Sequence, residues 1–135
     1  MAVLAQATGA ELEAIVAQAT LPKYALLKPA ETGSVMIEGR AGGTGSRFNL
    51  GEATMTRCVV RIDGGTMGHA YALCRDKRKA VIAAVLDAML QTEADGGALH
   101  AAVGQLSDRQ QAARTLASRK AAATKVEFFT MVRGE

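Results

Sequence analysis

The residues of this sequence whose types are best suited to chemistry lie in one glycine-rich stretch, Arg40-Ala41-Gly42-Gly43-Thr44-Gly45-Ser46-Arg47-Phe48. Successive amides without Cβ atoms in the way can form an anion nest, and two flanking arginines can grip phosphate oxygens bidentately. Both nucleotide fingerprints are nevertheless missed. No Gly-Lys-Ser/Thr follows, and Gly43-Thr44-Gly45-Ser46-Arg47-Phe48 lacks the last glycine of GxGxxG. The stretch therefore reads either as a phosphate cradle or as a structural connection or bulge with solvated arginines on a hairpin rim.

The remaining reactive side chains are scattered. His69 and His100 are the only histidines, far apart in the chain and without a third ligand at metal-like spacing, so no metal site is expected within this chain. His69 is expected to be a hydrogen-bonded core imidazole. Glu52 and Asp76 are expected to pair with Arg57 and Arg75 rather than to form an acid/base couple. No serine or cysteine has a histidine placed to activate it, so no catalytic residue and no resident cofactor are expected.

The elements that must position these groups follow from periodicity and turn chemistry. Thr8 and Glu11 spell a capping box, and Leu12, Ile15, Val16 and Ala19 continue at helical spacing until Pro22. Residues 24–27 and 35–40 read as two short strands separated by Pro29 and Gly33, and residues 53–62 and 67–74 as a hairpin turning on Asp63-Gly64-Gly65-Thr66. With Gly64 and Gly65 as the two central turn residues, Ile62 faces Met67, Val60 faces His69, Cys58 faces Tyr71 and Thr56 faces Leu73. Gly68, Ala70, Ala72 and Cys74 then form a small-residue face suited to a partner, and Cys58 and Cys74 point apart and stay reduced. Residues 76–91 form an apolar-faced helix expected to cover the hairpin, Ser107 and Gln110 cap another helix running to about residue 123, and residues 126–132 form a strand apolar on both faces. The fold class expected is α+β: one domain over residues 1–135, an antiparallel hairpin sheet packed with helices, and a C-terminal strand.

Composition constrains partners. The chain has 135 residues, 49% of them apolar but only 4% aromatic, with no Trp and alanine at a fifth of positions. Alanine-rich helices bury little area each, which leaves a thin margin for a chain standing alone and favours assembly. The formal charge of +3 is mild and dispersed, so neither nucleic acid nor membrane is indicated. No apolar run approaches a bilayer span and no secretory leader is evident, which leads to the expectation of a cytoplasmic protein.

Several motifs together carry a family resemblance. Ala30-Glu31-Thr32-Gly33, Arg40-Ala41-Gly42-Gly43-Thr44-Gly45 with Arg47-Phe48, Gly51-Glu52-Ala53-Thr54 with Thr56-Arg57, Gly65-Thr66-Met67-Gly68, Arg75-Asp76-Lys77 and the ending Phe128-Phe129-Thr130-Met131-Val132-Arg133-Gly134 resemble the PhnG family, subunits of the bacterial carbon-phosphorus lyase core complex. The match runs in order along nearly the whole chain. It departs at the start, where a basic residue and Trp-Met are absent, and at Cys74, where glycine is usual. The resemblance implies a required, non-catalytic subunit working with PhnH, PhnI and PhnJ type subunits and a second copy of itself. It further implies that ATP is a substrate of the assembly, its adenine displaced by an alkylphosphonate to give α-D-ribose 1-methylphosphonate 5-triphosphate. On that reading Arg40, Gly42, Gly43, Thr44, Gly45, Arg47, Glu52, Arg57, Arg75, Asp76 and Lys77 bind substrate or form an interface, and Phe128, Phe129 and Met131 meet a partner. A stand-alone anion- or nucleotide-binding module using the same glycine loop is the rival.

Overall fold

A computed structural model describes residues 1–93 and 97–126. The chain runs α1 (Ala2–Gln6), α2 (Gly9–Gln18), β1 (Tyr24–Arg40), β2 (Arg47–Ile62), β3 (Met67–Ala72), α3 (Lys77–Thr92) and α4 (Ala98–Ala123). The strands form one antiparallel sheet in the order β1-β2-β3. This is the expected α+β class. The C-terminal strand expected over residues 126–132 lies outside the described residues, apart from Val126.

Local signals set the starts of α2 and α3. Thr8 caps α2: its hydroxyl accepts the Glu11 amide at 3.3 Å, and the Glu11 carboxylate accepts the Thr8 amide at 2.8 Å. The Thr8 backbone amide, followed by its hydroxyl, holds the Glu11 carboxyl below its ordinary pKa. Asp76 caps α3 by accepting the Lys79 amide at 2.9 Å. That contact replaces the ion pair expected with Arg75.

The start of α4 differs from expectation. Ser107 and Gln110 lie inside the helix, and Gln110 instead donates to the Val3 carbonyl at 3.0 Å. The free amides at Leu99 and His100 are taken by the Glu93 carboxylate, at 3.1 and 2.9 Å, and the His100 ring sits 2.8 Å from it. Capping thus comes from across the connection between α3 and α4. The Leu99 amide is the main cause holding the Glu93 carboxyl below its ordinary 4.5, assisted by His100. A carboxyl with a depressed folded pKa stabilises fully above its unfolded value and loses that contribution as pH falls through the folded one. Glu93→Gln is therefore expected to melt lower than the parent at pH 7 and to converge on it as pH falls through the lowered Glu93 pKa, as followed by thermal circular dichroism.

The β2–β3 hairpin corrects the expected register by one residue. Arg61 pairs with Met67, Val59 with His69, Cys58 with Ala70 and Thr56 with Ala72. The Ile62 amide donates to the Thr66 carbonyl at 3.0 Å and the Gly65 amide to the Ile62 carbonyl at 3.1 Å, which closes a loop of three residues rather than two. Gly64 and Gly65 supply the positive φ angles, 96° and 92°, that this loop needs. An odd loop reverses the facing of every β3 side chain. Met67, His69, Tyr71 and Leu73 are consequently exposed, and Gly68, Ala70 and Ala72 are buried. His69 is no core imidazole, and the small-residue face is not a partner surface.

That small-residue face belongs to α3. Ala80, Ala83, Ala84 and Ala88 are buried beside Cys58, Val60, Ile62 and Ala70 in one cluster completed by Leu4, Leu12, Leu86, Leu99 and Leu106. The helix approaches so closely at Gly68 that a Cβ there would fall on the Ala84 carbonyl oxygen and 2.6 Å from the Ala88 amide nitrogen. Alanine abundance, read from composition as a weak core, is here the means of bringing helix backbone against sheet backbone. At the end of the sheet, buried Thr56 donates to the Cys74 carbonyl at 2.7 Å and meets the Thr32 hydroxyl at 3.0 Å. Cys58 and Cys74 are both free thiols. Burial raises the Cys58 pKa and keeps it protonated.

Candidate functional site

The two short strands expected before the glycine-rich stretch are one, β1, whose ladder with β2 is interrupted but not ended near Pro29: register shifts fall between Leu26 and Lys28 and between Lys28 and Glu31. A bulge tolerates proline because the missing amide need not join the ladder. Because β3 pairs with β2 only from Thr56 to Arg61, the rest of β1 and β2 continues as a two-stranded arm. From Glu31 to Glu52 every residue except Val35 and Gly39 is exposed. At about 3.3 Å per residue the arm extends roughly 30 Å from the body.

The glycine-rich stretch is the tip of this arm. Ala41–Gly43 make a single 3₁₀ turn, with Gly42 and Gly43 at φ 58° and 82°. The Gly45 amide donates to the Ala41 carbonyl at 2.8 Å, and the Ala41 amide to the Ser46 carbonyl at 3.2 Å. Those two amides are thus turned inward on the loop itself. Arg40 donates to the Gly45 carbonyl at 3.3 Å, and Arg47 pairs with Glu38 at 3.1 Å. The tip is a hairpin connection, without the strand-to-helix context in which glycine-rich loops present phosphate sites.

The other residues singled out by sequence gather where the arm meets the body. The Cys74 carbonyl held by Thr56 ties the Arg75-Asp76-Lys77 corner to β2 one residue from Arg57, whose own side chain alternates to the opposite face of the sheet. Arg57 pairs with Glu31 at 3.4 Å, not with Glu52, and the same carboxylate is 3.5 Å from Lys28. A cleft of about 160 Å³ lies there between Glu31, Thr32, Gly33, Ser34, Met55 and Arg57. Arg78 pairs with Glu13 at 3.0 Å and Lys79 donates to the Ala5 carbonyl at 2.9 Å, whereas Arg75 and Lys77 are exposed at the start of α3 and form no ion pair among the described residues. Two clusters therefore stand apart: a tip of Arg40, Gly42, Gly43, Thr44, Gly45 and Arg47, and a shoulder of Arg57, Arg75, Asp76 and Lys77. Thr56 and Arg47 are nine residues apart on one strand, roughly 30 Å, so tip and shoulder of one copy cannot grip one triphosphate. Glu52 lies between them, opposite Met36.

The model matching this chain over residues 1–134 is that of phosphonate metabolism protein PhnG. The chain belongs to the PhnG family. A PhnG relative from Rhizobium meliloti (strain 1021), named alpha-D-ribose 1-methylphosphonate 5-triphosphate synthase subunit PhnG, is 43% identical over 100% of this chain and 87% of its own length. The family places this chain in phosphonate metabolism. Among its described residues no group of three or more His, Cys, Asp or Glu side chains is arranged to hold a metal ion, and no helix is long and apolar enough to cross a membrane.

What the sequence reading of this PhnG chain missed is apolar surface. Met36 is 51% exposed, Phe48 46% and Leu50 65% on the arm, and Met67, Tyr71 and Leu73 are at least half exposed on the sheet face that α3 leaves uncovered. Phe48 lies across Gly39, with ring atoms 3.5 Å from where a Cβ would stand. Exposed apolar groups in such number mark docking surfaces. The run Val35-Met36-Ile37, apolar at three successive strand positions, was the available signal. Phe128, Phe129 and Met131, expected at a partner interface, lie outside the described residues.

Proposed function

We propose that this chain is a required, non-catalytic subunit of a carbon-phosphorus lyase core assembly, joined to PhnH, PhnI and PhnJ type subunits in the cytoplasm. The assembly it supports transfers the ribose 5-triphosphate moiety of ATP to methylphosphonate, displacing adenine and forming α-D-ribose 1-methylphosphonate 5-triphosphate. The observation that carries the reading beyond family membership is the arm. A two-stranded ribbon with apolar side chains in water is marginal by itself, and docking into a partner would give it the cover that its own body does not. The shoulder suits an anion better than the tip: Arg75 and Lys77 stand beside the positive end of the α3 dipole. On this reading the tip residues make interface contacts, and the shoulder lends positive charge to a triphosphate held chiefly by another subunit. Glu52 makes arm contacts, and Phe128, Phe129 and Met131 meet a partner.

Co-expression with the other three subunits and tagged purification tests the role. All four are expected to elute together, and a chain that stays separate in their presence overturns the reading. Deleting residues 126–135 is expected to abolish that co-elution while the far-ultraviolet dichroism of the isolated chain is retained. The rival, a free-standing anion or nucleotide binder, is separated by calorimetry. Titrating ATP into the isolated chain is expected to give no micromolar binding, and binding at that strength would favour the rival.

A further inference from the structure

The two edges of the sheet are finished differently. On β3 two outward groups are occupied by side chains of α3: the His69 amide donates to Asp87 at 3.2 Å, and Gln91 donates to the Met67 carbonyl at 2.9 Å. These contacts plug the edge against further pairing. On β1, the opposite edge, no described side chain or backbone group bonds the outward amides and carbonyls of residues 30–39. Nor does this stretch, Ala30-Glu31-Thr32-Gly33-Ser34-Val35-Met36-Ile37-Glu38-Gly39, contain the lysine or proline with which exposed edges are usually blunted. The β3 edge is plugged at Met67 and His69, whereas the β1 edge is unbonded by any described group along residues 30–37, up to the register shift between Ile37 and Glu38.

We infer that the open edge of β1 receives residues 126–132 of a second copy of this chain as an added antiparallel strand. This sharpens the proposal above that Phe128, Phe129 and Met131 meet a partner. Three features select that occupant. The edge is apolar on both faces at Val35, Met36 and Ile37, so an added strand must also be apolar on both faces, and Val126-Glu127-Phe128-Phe129-Thr130-Met131-Val132 is. The edge begins at Glu31 and the segment ends before Arg133, opposite charges that an antiparallel register brings together. Carboxylates accept from several donors, so Glu31 can take Arg133 beside Lys28 and Arg57, which it already holds.

The path of the chain points to exchange between copies. Helix α4 crosses α1, where Gln110 bonds Val3 and Arg114 bonds Gln6, and α1 flanks β3, the edge away from β1. From Gln111 to Val126 every residue of the chain is exposed. The helix continues about 14 Å past Arg114 to Ala123 on the side of the molecule where α1 flanks β3, with two strands between that side and the open edge of the same copy.

The test uses the full chain with Cys74→Ser, leaving buried Cys58 in place. One preparation carries Val35→Cys or Ile37→Cys, and a second carries Phe128→Cys or Thr130→Cys. Facing residues of paired strands bring Cα atoms within disulfide range. Mixed and oxidised, the two preparations are expected to give a disulfide-linked species of two unlike chains, at a yield at least tenfold above a control pairing the second preparation with His69→Cys on the plugged edge. A yield equal to the control overturns the inference. So does closure within single chains when both cysteines are placed in one molecule, which would put the segment on its own edge. Predominant linkage of two Val35→Cys copies to each other overturns it as well, in favour of pairing between β1 strands. Because the readout is a bond between named positions, its failure beside successful co-elution of the four subunits would leave the proposed function standing.

Discussion

Gly68→Ala is expected to destabilise this protein by about 3 kcal/mol or more, lowering its melting temperature by roughly 10 °C. The reason is geometric. Gly68 is buried on the face of β3 that α3 covers, and a Cβ there would meet the helix backbone at Ala84 and Ala88, not a side chain that could swing aside. Relief requires α3 to lift from the sheet, and that loosens the contacts of Ala80, Ala83 and Ala84 with Val60 and Cys58 together. Gly104→Ala makes the matching control. It lies in α4 with nothing within 4 Å of the added atom, so it is expected to stabilise by about 0.5–1 kcal/mol through helix propensity. Thermal melts of the two variants should move in opposite directions. A Gly68→Ala protein melting within about 2 °C of the parent would show that α3 does not sit against β3 at this distance.

The second large effect concerns assembly and not stability. Removing residues 35–53 and joining Ser34 to Thr54, which face each other across the ladder, through Asn-Gly is expected to leave the body folded. No buried core residue lies between Leu12 and Thr56 in the chain, so the shortened protein keeps its whole core and its melting temperature should change by only a few degrees. Co-elution with the other subunits should be lost. A milder form is Phe48→Glu with Leu50→Glu. If both side chains are buried on docking, their loss removes roughly 3 kcal/mol or more of apolar transfer, a hundredfold or more in affinity. Undiminished assembly of the shortened chain would remove the arm from the interface.

Much of the site's raw material was legible in the sequence, because it depends on neighbours a few residues away. The Thr8–Glu11 box, Asp76 at the head of α3 and the positive-φ glycines at the β2–β3 turn appear where their local chemistry puts them. Pro29 and Gly33 were poorer guides. Read as breaks between two strands, they sit within one, since a bulge in β1 absorbs the proline and an edge strand bears the glycine. The start of α4 was hidden because its cap, Glu93, reaches across the connection, so no residue adjacent to the helix announces it.

Taken alone, the sequence determined the family, the fold class, the Thr8–Glu11 cap of α2 and the residue types at the glycine-rich stretch. Tertiary structure decided what those residues face. One additional residue in the β2–β3 loop turned His69, Tyr71 and Leu73 outward and gave Gly68, Ala70 and Ala72 to α3, because side chains alternate along a strand and loop parity sets the alternation. The length of the β1–β2 ladder beyond β3 likewise split one presumed cluster of arginines and glycines into a tip and a shoulder roughly 30 Å apart. Facing and separation are properties of pairing between distant segments, and pairing is settled only when the sheet forms and a helix lands on one of its sides.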